Sequence, residues 1–514
     1  CGGWPASSAR WAWRTRRTMG CETMSVIGLI LPRAGTRRWH AELIDRLKAD
    51  GHDVHVVFGG QDEPQVLLDA VLAAEKRLFR RKVPQLPQRH NVEETPCPSR
   101  PVQLTIALCR EGRSAGGGRQ LGFASAVKGF PLAEWASAIA AGQLPKITLE
   151  LDGVAVARAA PMIENRVSIG WGLENVLARA IALVVKTARQ VLEGAHLAPL
   201  RTETAPPAPA FLPAYLTSTL PRTAAEIWRR MRYRYAHWRV GYRFVEGDGV
   251  AETGSLAGTP WQILPDDGKR FYADPFAFSF EGRHYIFVED FDHEKGKAVI
   301  SVSCLDEAGK AGRPVPVLEE PHHLSYPQVF ASGGEIWMLP EASAGREVVL
   351  YRAETFPFRW SRHAVLFTDR VIADATLIEA DGSFWLLATD ATSGGSTSDT
   401  LVAYRSDRFG GPWQAHPDNP IAIDLRGARP GGAAIRTGGK LLLPVQDGTL
   451  GYGGGLGLVE IVELSEDAVR LGDPRPIQTE GFWPYPQIHT LNRHGALEVI
   501  DGIAAVRRQP RRWH

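Results

Sequence analysis

The sequence predicts two domains: an N-terminal α/β domain with a parallel sheet, and a C-terminal all-β propeller of five blades. The propeller is indicated by a short-strand motif that recurs five times in the second half of the chain, with a period of about 50 residues. The α/β domain is indicated by a strand–helix–strand pattern near the start. A proline-rich stretch between the two patterns predicts a linker.

The α/β domain is expected at residues 24–193. Two apolar runs of strand length flank a helical pattern that ends at Gly51, and such a unit needs a crossover that makes its strands parallel. The expected elements, in chain order, are strand 25–31, helix 39–50, strand 53–58, helix 64–79, strand 102–108, strand 146–151 and helix 173–192.

Residues 1–23 carry four arginines but no apolar core, so they do not have the pattern of a signal peptide. We expect them to be a disordered or non-native extension, with Met24 as the true start. Residues 194–237 are expected to form a linker followed by a basic helix. The basic, aromatic segment 228–239 predicts either peripheral contact with an anionic membrane or a helix packed at the domain junction, and the second interpretation is favoured.

Composition limits the function classes. The net charge of +2 gives no field that would attract nucleic acid, and no stretch is long and apolar enough to predict a membrane span. The five cysteines are scattered without a zinc-binding or disulfide pattern, which is typical of a reducing compartment. We expect no metal, no cofactor and a cytoplasmic location, with a peripheral position at the inner membrane surface as the alternative.

The propeller is expected at residues 238–507. Each repeat starts with an anchor residue, followed by an apolar strand, a Gly-containing turn and a second apolar strand. Equivalent positions of successive blades converge on one axis, so the anchors are expected to ring a common pocket. The five anchors are Asp274, Tyr326, Asp374, Arg429 and Tyr485.

The repeats resemble known families. Tyr272–Phe276 and Ile372–Gly382 are similar to the five-bladed glycosidase superfamily of arabinanases, β-xylosidases and invertase-like enzymes. A set of short motifs more narrowly resembles the N-terminal propeller of plant glucosamine inositolphosphorylceramide transferases and stand-alone bacterial relatives. The motifs are 336–341, 350–352, 356–360, 429–432, 444–447 and 452–453. The plant proteins carry a separate C-terminal glycosyltransferase domain. This chain ends at His514 without one, so transferase activity is not implied automatically.

Residues 24–193 are similar to Rossmann-like, formyltransferase-like domains. That family's Asn-His-Asp set and His-Pro-Ser-Leu-Leu-Pro loop are absent, and the turn Pro32–Gly35 lacks a GxGxxG motif for a dinucleotide. The expectation is a scaffold without the family's chemistry.

Glycosyl cleavage or transfer needs two carboxyl groups, one protonated and one ionised. The resemblance implies that Asp274 is the base or nucleophile and that Asp374 orients the substrate and adjusts the pKa of the acid. The alternatives are an aspartate that starts a turn and a structural aspartate at a strand start. The glycosidases place the acidic glutamate where this chain has Arg429, which cannot donate a proton usefully. Glu341 and Glu289 are the candidate substitutes, and Glu289 is alternatively a salt-bridged rim residue.

Arg429 has two interpretations. Its guanidinium could clamp a phosphate or carboxylate, or it could neutralise Asp274 and Asp374 and hold the ring together. The other expected substrate-binding residues are Gln446, Asp447, Tyr452, Tyr326, Gln328, Tyr485, Gln487 and His489.

Together these patterns predict a carbohydrate-active protein of glycosyl hydrolase or glycosyltransferase type. It would act on glycosidic bonds of a cell-envelope glycan or glycolipid. The alternative is a non-catalytic module that binds a glycan or nucleotide-sugar and assists a partner glycosyltransferase.

Overall fold

The computed structural model describes residues 24–60, 65–78, 83–109, 118–125, 130–201, 209–234, 236–479, 481–485 and 487–508. The expected extension 1–23 and residues 202–208 of the expected linker lie outside these ranges. The chain divides into two compact units. The first comprises residues 1–159 and 165–219, and the second comprises residues 160–164 and 220–514.

The first unit contains a mixed sheet with the strand order β2-β1-β3-β4-β5-β6 in its described part. Strands β1 to β4 pair in parallel, as predicted, whereas β4–β5 and β5–β6 pair antiparallel. The formyltransferase-like assignment stays a prediction. The strands are β1 Val26–Leu31, β2 Asp53–Phe58, β3 Leu104–Ala107, β4 Arg119–Phe123, β5 Ile147–Leu151 and β6 Val154–Ala159. The helices are α1 Arg38–Ala49, α2 Val66–Leu78, α3 Leu132–Ala141, α4 Ile169–Leu192 and the short α5 Phe211–Ala214, which runs into a π-helical turn at Tyr215–Thr219.

Local chemistry explains several of these boundaries. The turn between β5 and β6 is Asp152-Gly153, with φ of 53° and 84°, the sequence and conformation of a tight hairpin. Helix α4 begins four residues earlier than the pattern predicted because Ser168 caps it, with its hydroxyl oxygen accepting the Trp171 N–H. The Glu75 carboxylate accepts the N–H groups of Ile169 and Gly170, so the first turn of a buried helix keeps its hydrogen bonds.

The second unit contains five β-sheets among its described residues, which confirms the predicted five-bladed propeller. It begins with helix α6 Leu220–Arg232 and contains a short helix, α7 Val250–Thr253. The first blade is β9 Arg270–Phe280, β10 Arg283–Asp292, β11 Lys297–Cys304 and β12 Val315–Leu318. The second is β13 Ser325–Ser332, β14 Glu335–Glu341, β15 Glu347–Thr355 and β16 Arg359–Thr368.

The third blade is β17 Ile372–Ala380, β18 Ser383–Asp390, β19 Thr400–Ser406, β20 Gln414–Ala415 and β21 Ala422–Ile423. The fourth is β22 Ile435–Thr437, β23 Lys440–Gln446, β24 Leu456–Leu464, β25 Val469–Leu471 and β26 Arg475–Pro476. The fifth combines the two ends of the unit: β27 Leu491–His494, β28 Leu497–Ala504, β7 His237–Phe244 and β8 Gln262–Ile263.

The ring is closed by hydrogen bonds between β28 and β7, which pair antiparallel from Leu497–Phe244 to Ala504–His237. Trp238 belongs to the segment singled out for membrane contact, but in β7 it is 2% exposed. Large apolar side chains fill the space between neighbouring blades. Phe287 and Tyr351, for example, belong to one buried cluster between the first and second blades. This packing holds the inner strand ends at the axis, where the candidate residues lie.

Candidate functional site

The anchor residues of the first three blades share an unusual backbone conformation. Asp274, Tyr326 and Asp374 have φ values of 47°, 47° and 49°, in the left-handed region that non-glycine residues rarely adopt. The pairing of the first and second strands shifts register at the same place in each blade. Such bulges redirect side chains and are common next to active sites. In these three blades, the repeat that is visible in the sequence therefore corresponds to one shared backbone conformation.

Asp374 and Arg429 form a buried ion pair between the third and fourth blades. The guanidinium donates from Nε to Oδ2 at 2.6 Å and from Nη2 to Oδ1 at 3.2 Å, a bidentate arrangement. Gln446 also donates to Oδ2 at 2.9 Å. Burial raises the pKa of Asp374 to about 7, against the lowering effect of Arg429. Arg429 thus pairs with Asp374, one of the two aspartates that the neutralising interpretation named, and the role of Arg429 stays a prediction.

Glu341 joins this pair from the second blade. Its Oε2 lies 3.6 Å from Nη2 of Arg429 and accepts the backbone N–H of Asp374 at 3.2 Å. Its Oε1 accepts the Ser343 hydroxyl at 2.6 Å. Both oxygens of the carboxylate therefore have donors or a cation close to them.

A second cluster connects the first and fifth blades. The Nε2 atom of His489 lies 3.3 Å from Oδ1 of Asp274, and its Nδ1 lies 2.7 Å from Oδ2 of Asp501. Thr490 donates its hydroxyl proton to Oδ1 of Asp274 at 2.9 Å, and the Asp274 N–H donates to Oδ2 of Asp501 at 3.1 Å. Trp238 stacks on the imidazole with a centroid distance of 3.8 Å.

The two carboxylates keep His489 charged. Burial lowers the pKa of His489, but Asp501 and Asp274 outweigh it and raise the pKa to about 9. Burial likewise raises the pKa of Asp274 to about 7, opposed by His489 and assisted by the charges of Asp374 and Glu289. The charge of Asp374 contributes to the raised pKa of Asp274, as expected for two carboxylates of the same axial cluster.

Asp274, His489 and Asp501 are the residues in the described part of the chain whose donor atoms could hold a metal ion, since they all lie within 4.8 Å of one another. Each ring nitrogen of His489 faces a carboxylate, however, and the protonated ring supplies the positive charge itself. The protonated ring thus offsets one of the two carboxylate charges from within the cluster.

Glu289 pairs with a histidine that sequence reasoning missed. The Nε2 atom of His323 lies 3.3 Å from Oε1 of Glu289. Burial lowers the pKa of His323, but Glu289, with smaller contributions from Glu341 and Asp274, produces a net increase. His323 therefore interacts with three of the candidate carboxylates. It lies in the loop that precedes the second blade, a position that the repeat pattern did not single out.

Several predicted binding residues have structural contacts instead of open surface. Tyr326 is fully buried, and its hydroxyl contacts Thr376 at 2.8 Å and accepts the Gly432 N–H at 2.7 Å. The Gln328 amide both accepts from and donates to the backbone of Leu377, which ties the second blade to the third.

In the fifth repeat the axial position is taken by His489 and not by Tyr485. Tyr485 packs beside Trp483, with ring centroids 5.2 Å apart. Gln487 is half-buried, and its backbone carbonyl accepts the Ile503 N–H. The register differs here because His489 and Thr490 donate their backbone N–H groups to Asp501, on the neighbouring strand β28.

Tyr452 and Asp447 lie at one side of the cluster. The Tyr452 ring is 40% exposed, meets His489 edge-on, and lies 5.2 Å from the Arg429 guanidinium carbon. It is therefore the predicted aromatic residue best placed to stack on a ligand. Asp447 accepts the Thr449 N–H and caps a short turn.

Residues 160–164 lie beside this region, although the rest of the propeller begins much later in the chain. The backbone of Ala160 exchanges hydrogen bonds with Ile423 and Leu425, and the Met162 N–H donates to Asp399. Glu164 accepts from Ser396 and Thr397. Met162 is fully buried and borders a small cavity together with Ser398, Leu425, Gln446, Asp447, Gly448, Gly451, Tyr452 and Gly453. This segment, here called the insert, covers one side of the candidate site.

The comparisons with known proteins agree with the motifs. Residues 265–474 match the family model "Glucosamine inositolphosphorylceramide transferase 1, N-terminal". Proteins of that name from Oryza sativa subsp. japonica and Arabidopsis thaliana are each 32% identical, over 246 and 204 residues. These alignments cover 45% and 39% of this chain, but 33% and 26% of the plant proteins. The chain thus spans about a third or less of the curated relatives that it matches.

The solved structures that align with part of this chain include two glycoside hydrolases. A thermostable family-43 glycoside hydrolase aligns with a TM-score of 0.32 and 10% identity, covering 42% of this chain and 77% of its own. An exo-β-1,3-galactanase from Clostridium thermocellum aligns with a TM-score of 0.34 and 13% identity, covering 47% and 60%. The resemblance that the motifs predicted is confirmed by the family match: the propeller segment 265–474 is similar to the N-terminal domain of the glucosamine inositolphosphorylceramide transferases.

Proposed function

We propose that the protein acts on glycosidic bonds of a carbohydrate or glycolipid, by hydrolysis or glycosyl transfer, at the cluster around Asp274. The observation that carries this proposal is the gathering of buried carboxyl groups from several blades, in which Asp274 contacts His489 and Thr490 while Asp374 pairs with Arg429. Burial also raises the pKa of Asp274 to about 7, which suits proton exchange near neutrality. The names of the plant relatives, which are glycolipid transferases, support a glycolipid substrate.

Asp274 accepts a proton in the proposed reaction. Water, or the hydroxyl of an acceptor sugar, attacks the anomeric carbon and gives its proton to the Asp274 carboxylate. The bond between the anomeric carbon and the leaving oxygen breaks with its electron pair on oxygen. The leaving oxygen then takes a proton from the Glu289–His323 pair. Asp374 pairs with Arg429 and orients the sugar.

The choice of acid follows from the contacts of the two glutamates. Both oxygens of the Glu341 carboxylate are engaged, by the Arg429 guanidinium, the Asp374 N–H and the Ser343 hydroxyl. Glu289 contacts a titratable group, His323, that can supply a proton. We therefore assign the proton donor to Glu289 with His323, and assign Glu341 a positioning role.

The second candidate function is a non-catalytic module that binds a glycan or nucleotide-sugar. It is favoured by Arg429, which stands where the glycosidases place their acidic glutamate and which cannot donate a proton usefully.

An Asp274→Asn variant separates these functions. A screen of nucleotide-sugars and furanosides, read out by calorimetric binding and by release of free sugar, would be run on the wild type and the variant. The enzyme proposal expects a loss of turnover of about 10³-fold with ligand binding retained. Binding without turnover in the wild type, abolished by the variant, would support the module instead.

We also propose a cytoplasmic location and a formyltransferase-like N-terminal domain. A cytoplasmic location is supported by Cys97, Cys109 and Cys304, which are free thiols. A formyltransferase-like scaffold without that family's chemistry is supported by the missing sequence motifs and by the parallel pairing of strands β1 to β4.

A further inference from the structure

Helix α6 carries an apolar face that is open to solvent. No side chain of this helix is buried, although the helix is strongly amphipathic. Leu220, Ile227 and Met231 are 44%, 56% and 75% exposed, and their spacing places them on one face. Trp228, which is 59% exposed, borders the same face. A contiguous apolar surface of this kind on a protein surface indicates an interaction site.

Basic side chains flank this apolar face. The helix contains four arginines, Arg222, Arg229, Arg230 and Arg232, against one acidic residue, Glu226. Glu226 pairs with Arg229 and Arg230, so the helix keeps a positive charge beyond that ion pair. The guanidinium carbon of Arg232 lies 5.7 Å from the centre of the Trp228 ring, which holds a cation at the edge of the apolar face.

The C-terminal end of the chain adds cations at the last turn of α6. The Arg508 N–H donates to the Arg232 carbonyl at 3.0 Å, and its Nε donates to the Tyr233 carbonyl at 3.1 Å. Arg507 pairs with Tyr233 through a single antiparallel backbone β-bridge. Arg507 and Arg508 are both exposed. Two distant parts of the sequence therefore build one basic edge beside the apolar face.

We propose that α6 lies in the plane of an anionic lipid bilayer surface. The apolar face would enter the boundary between head groups and acyl chains, Trp228 would lie at the interface, and the arginines would contact lipid phosphates. Cationic side chains on both the helix and a second segment match the negative charge of an anionic lipid surface. A protein groove that binds an amphipathic helix would need only the apolar face. Within the described residues, no helix is long and apolar enough to cross a membrane.

This contact differs from the one predicted from the sequence. Residues 237–239 of the predicted segment belong to strand β7, where Trp238 is buried, and the exposed apolar residues begin upstream at Leu220. The inference is independent of the chemistry proposed for the axial cluster, because α6 contains none of those residues.

The test is co-sedimentation of the full chain with vesicles. Neutral phosphatidylcholine vesicles are compared with vesicles containing about one-third phosphatidylserine. We expect binding only to the anionic vesicles, weakened by added salt. Replacing Arg230 and Arg232 by Gln should weaken binding by roughly fivefold for each arginine.

The matched variants address the apolar face. Ile227→Ser combined with Met231→Ser should abolish sedimentation, whereas Val462→Ser, at a site that is 63% exposed on strand β24, should not change it. Asp274→Asn should bind vesicles like the wild type, so failure of the catalytic proposal would leave this result unaffected. Retained binding by the Ile227 and Met231 double variant, or equal binding to neutral vesicles, would overturn the inference. So would a self-associated wild type that the double variant converts to monomer, since the face would then bind a second copy.

Discussion

The axial site contains two acid–cation–acid clusters that differ in the nature of the cation. Asp374 and Glu341 share Arg429, whose charge is permanent over the working pH range. Asp274 and Asp501 share His489, whose proton can leave. The cation in the cluster around Arg429 therefore keeps a constant charge. The cluster around His489 can change its charge when a substrate binds or the pH changes. The comparison explains why two buried aspartates at equivalent positions can have different roles.

The largest expected effect comes from removing the permanent cation. Arg429→Met leaves the buried Asp374 and the partly buried Glu341 without their counter-charge, so the free energy of unfolding should fall by about 3–5 kcal/mol. Urea denaturation measures this change. The control is Arg470→Met, which breaks an exposed pair with Glu463 and should change stability by less than about 1 kcal/mol.

A double-mutant cycle sharpens this test. Adding Asp374→Asn to Arg429→Met removes the stranded charge and should recover part of the lost stability. If the double variant is no more stable than Arg429→Met, the contribution of Arg429 is packing and not charge balance.

The next largest effect is expected on turnover, when the proposed proton donor Glu289 is replaced. Glu289→Gln should reduce turnover by about 10²-fold, because the proposed proton donor is lost. Glu341→Gln, a matched change in the fixed-charge cluster, should reduce it less than tenfold, about 1.4 kcal/mol. Steady-state kinetics on the substrate found in the screen give both values. The opposite ranking would assign the acid to Glu341.

The titratable cluster should make stability depend on pH. The pKa of His489 is about 9 in the fold, above its ordinary 6.5, so its contribution is complete below pH 6.5 and is lost as the pH rises through 9. Between pH 7 and 9 the free energy of unfolding should fall by about 2–3 kcal/mol. Below pH 7 the aspartates dominate, since a raised carboxyl pKa also makes stability fall with rising pH.

His489→Gln is the variant that isolates this effect. It should be less stable than the wild type at pH 7 and should lose most of the decline between pH 7 and 9. Parallel pH profiles of the two proteins would show that another group causes the decline.

The smallest effect is expected at Thr490. Its hydroxyl donates to Asp274 at 2.9 Å and stabilises the ionised carboxylate. Thr490→Val removes this bond at nearly constant volume, so the pKa of Asp274 should rise by less than about one unit, or about 1.4 kcal/mol. The acidic limb of the pH–rate profile should move to higher pH by the same amount. Thr376→Val, which contacts Tyr326 and not Asp274, is the control.

Sequence reasoning predicted the parts of this site that repeat. Strand–turn–strand patterns predicted the number of blades, and the first three anchors share one backbone conformation, while Arg429 of the fourth repeat pairs with Asp374. The fifth was missed because the register of the last blade depends on Asp501, which binds the backbone of His489 and Thr490. Asp501 had a detectable signal, since a lone carboxylate within the apolar run 499–504 must find a partner.

The remaining features depend on contacts between distant residues. Whether Gln328 faces a ligand or the backbone of Leu377 is decided by neighbouring blades, which a repeat pattern does not describe. The insert gave no sequence signal, because its partners Asp399, Ile423 and Leu425 lie more than two hundred residues away. The parallel pairing was predicted, but the antiparallel pairing of β5 with β4 and the hairpin at Asp152-Gly153 between β5 and β6 were overlooked.

The joining of β28 to β7 has a consequence for biosynthesis. Strand β7 is synthesised long before strand β28. The backbone donors and acceptors on the edge of β7 that faces β28 are therefore unpaired until β28 has been made. Contacts of such long sequence separation form slowly, and an unpaired strand edge invites association with other chains. A nascent or truncated polypeptide that stops short of residue 497 would therefore expose the unpaired edge of β7. Such a polypeptide would depend on chaperones to avoid aggregation.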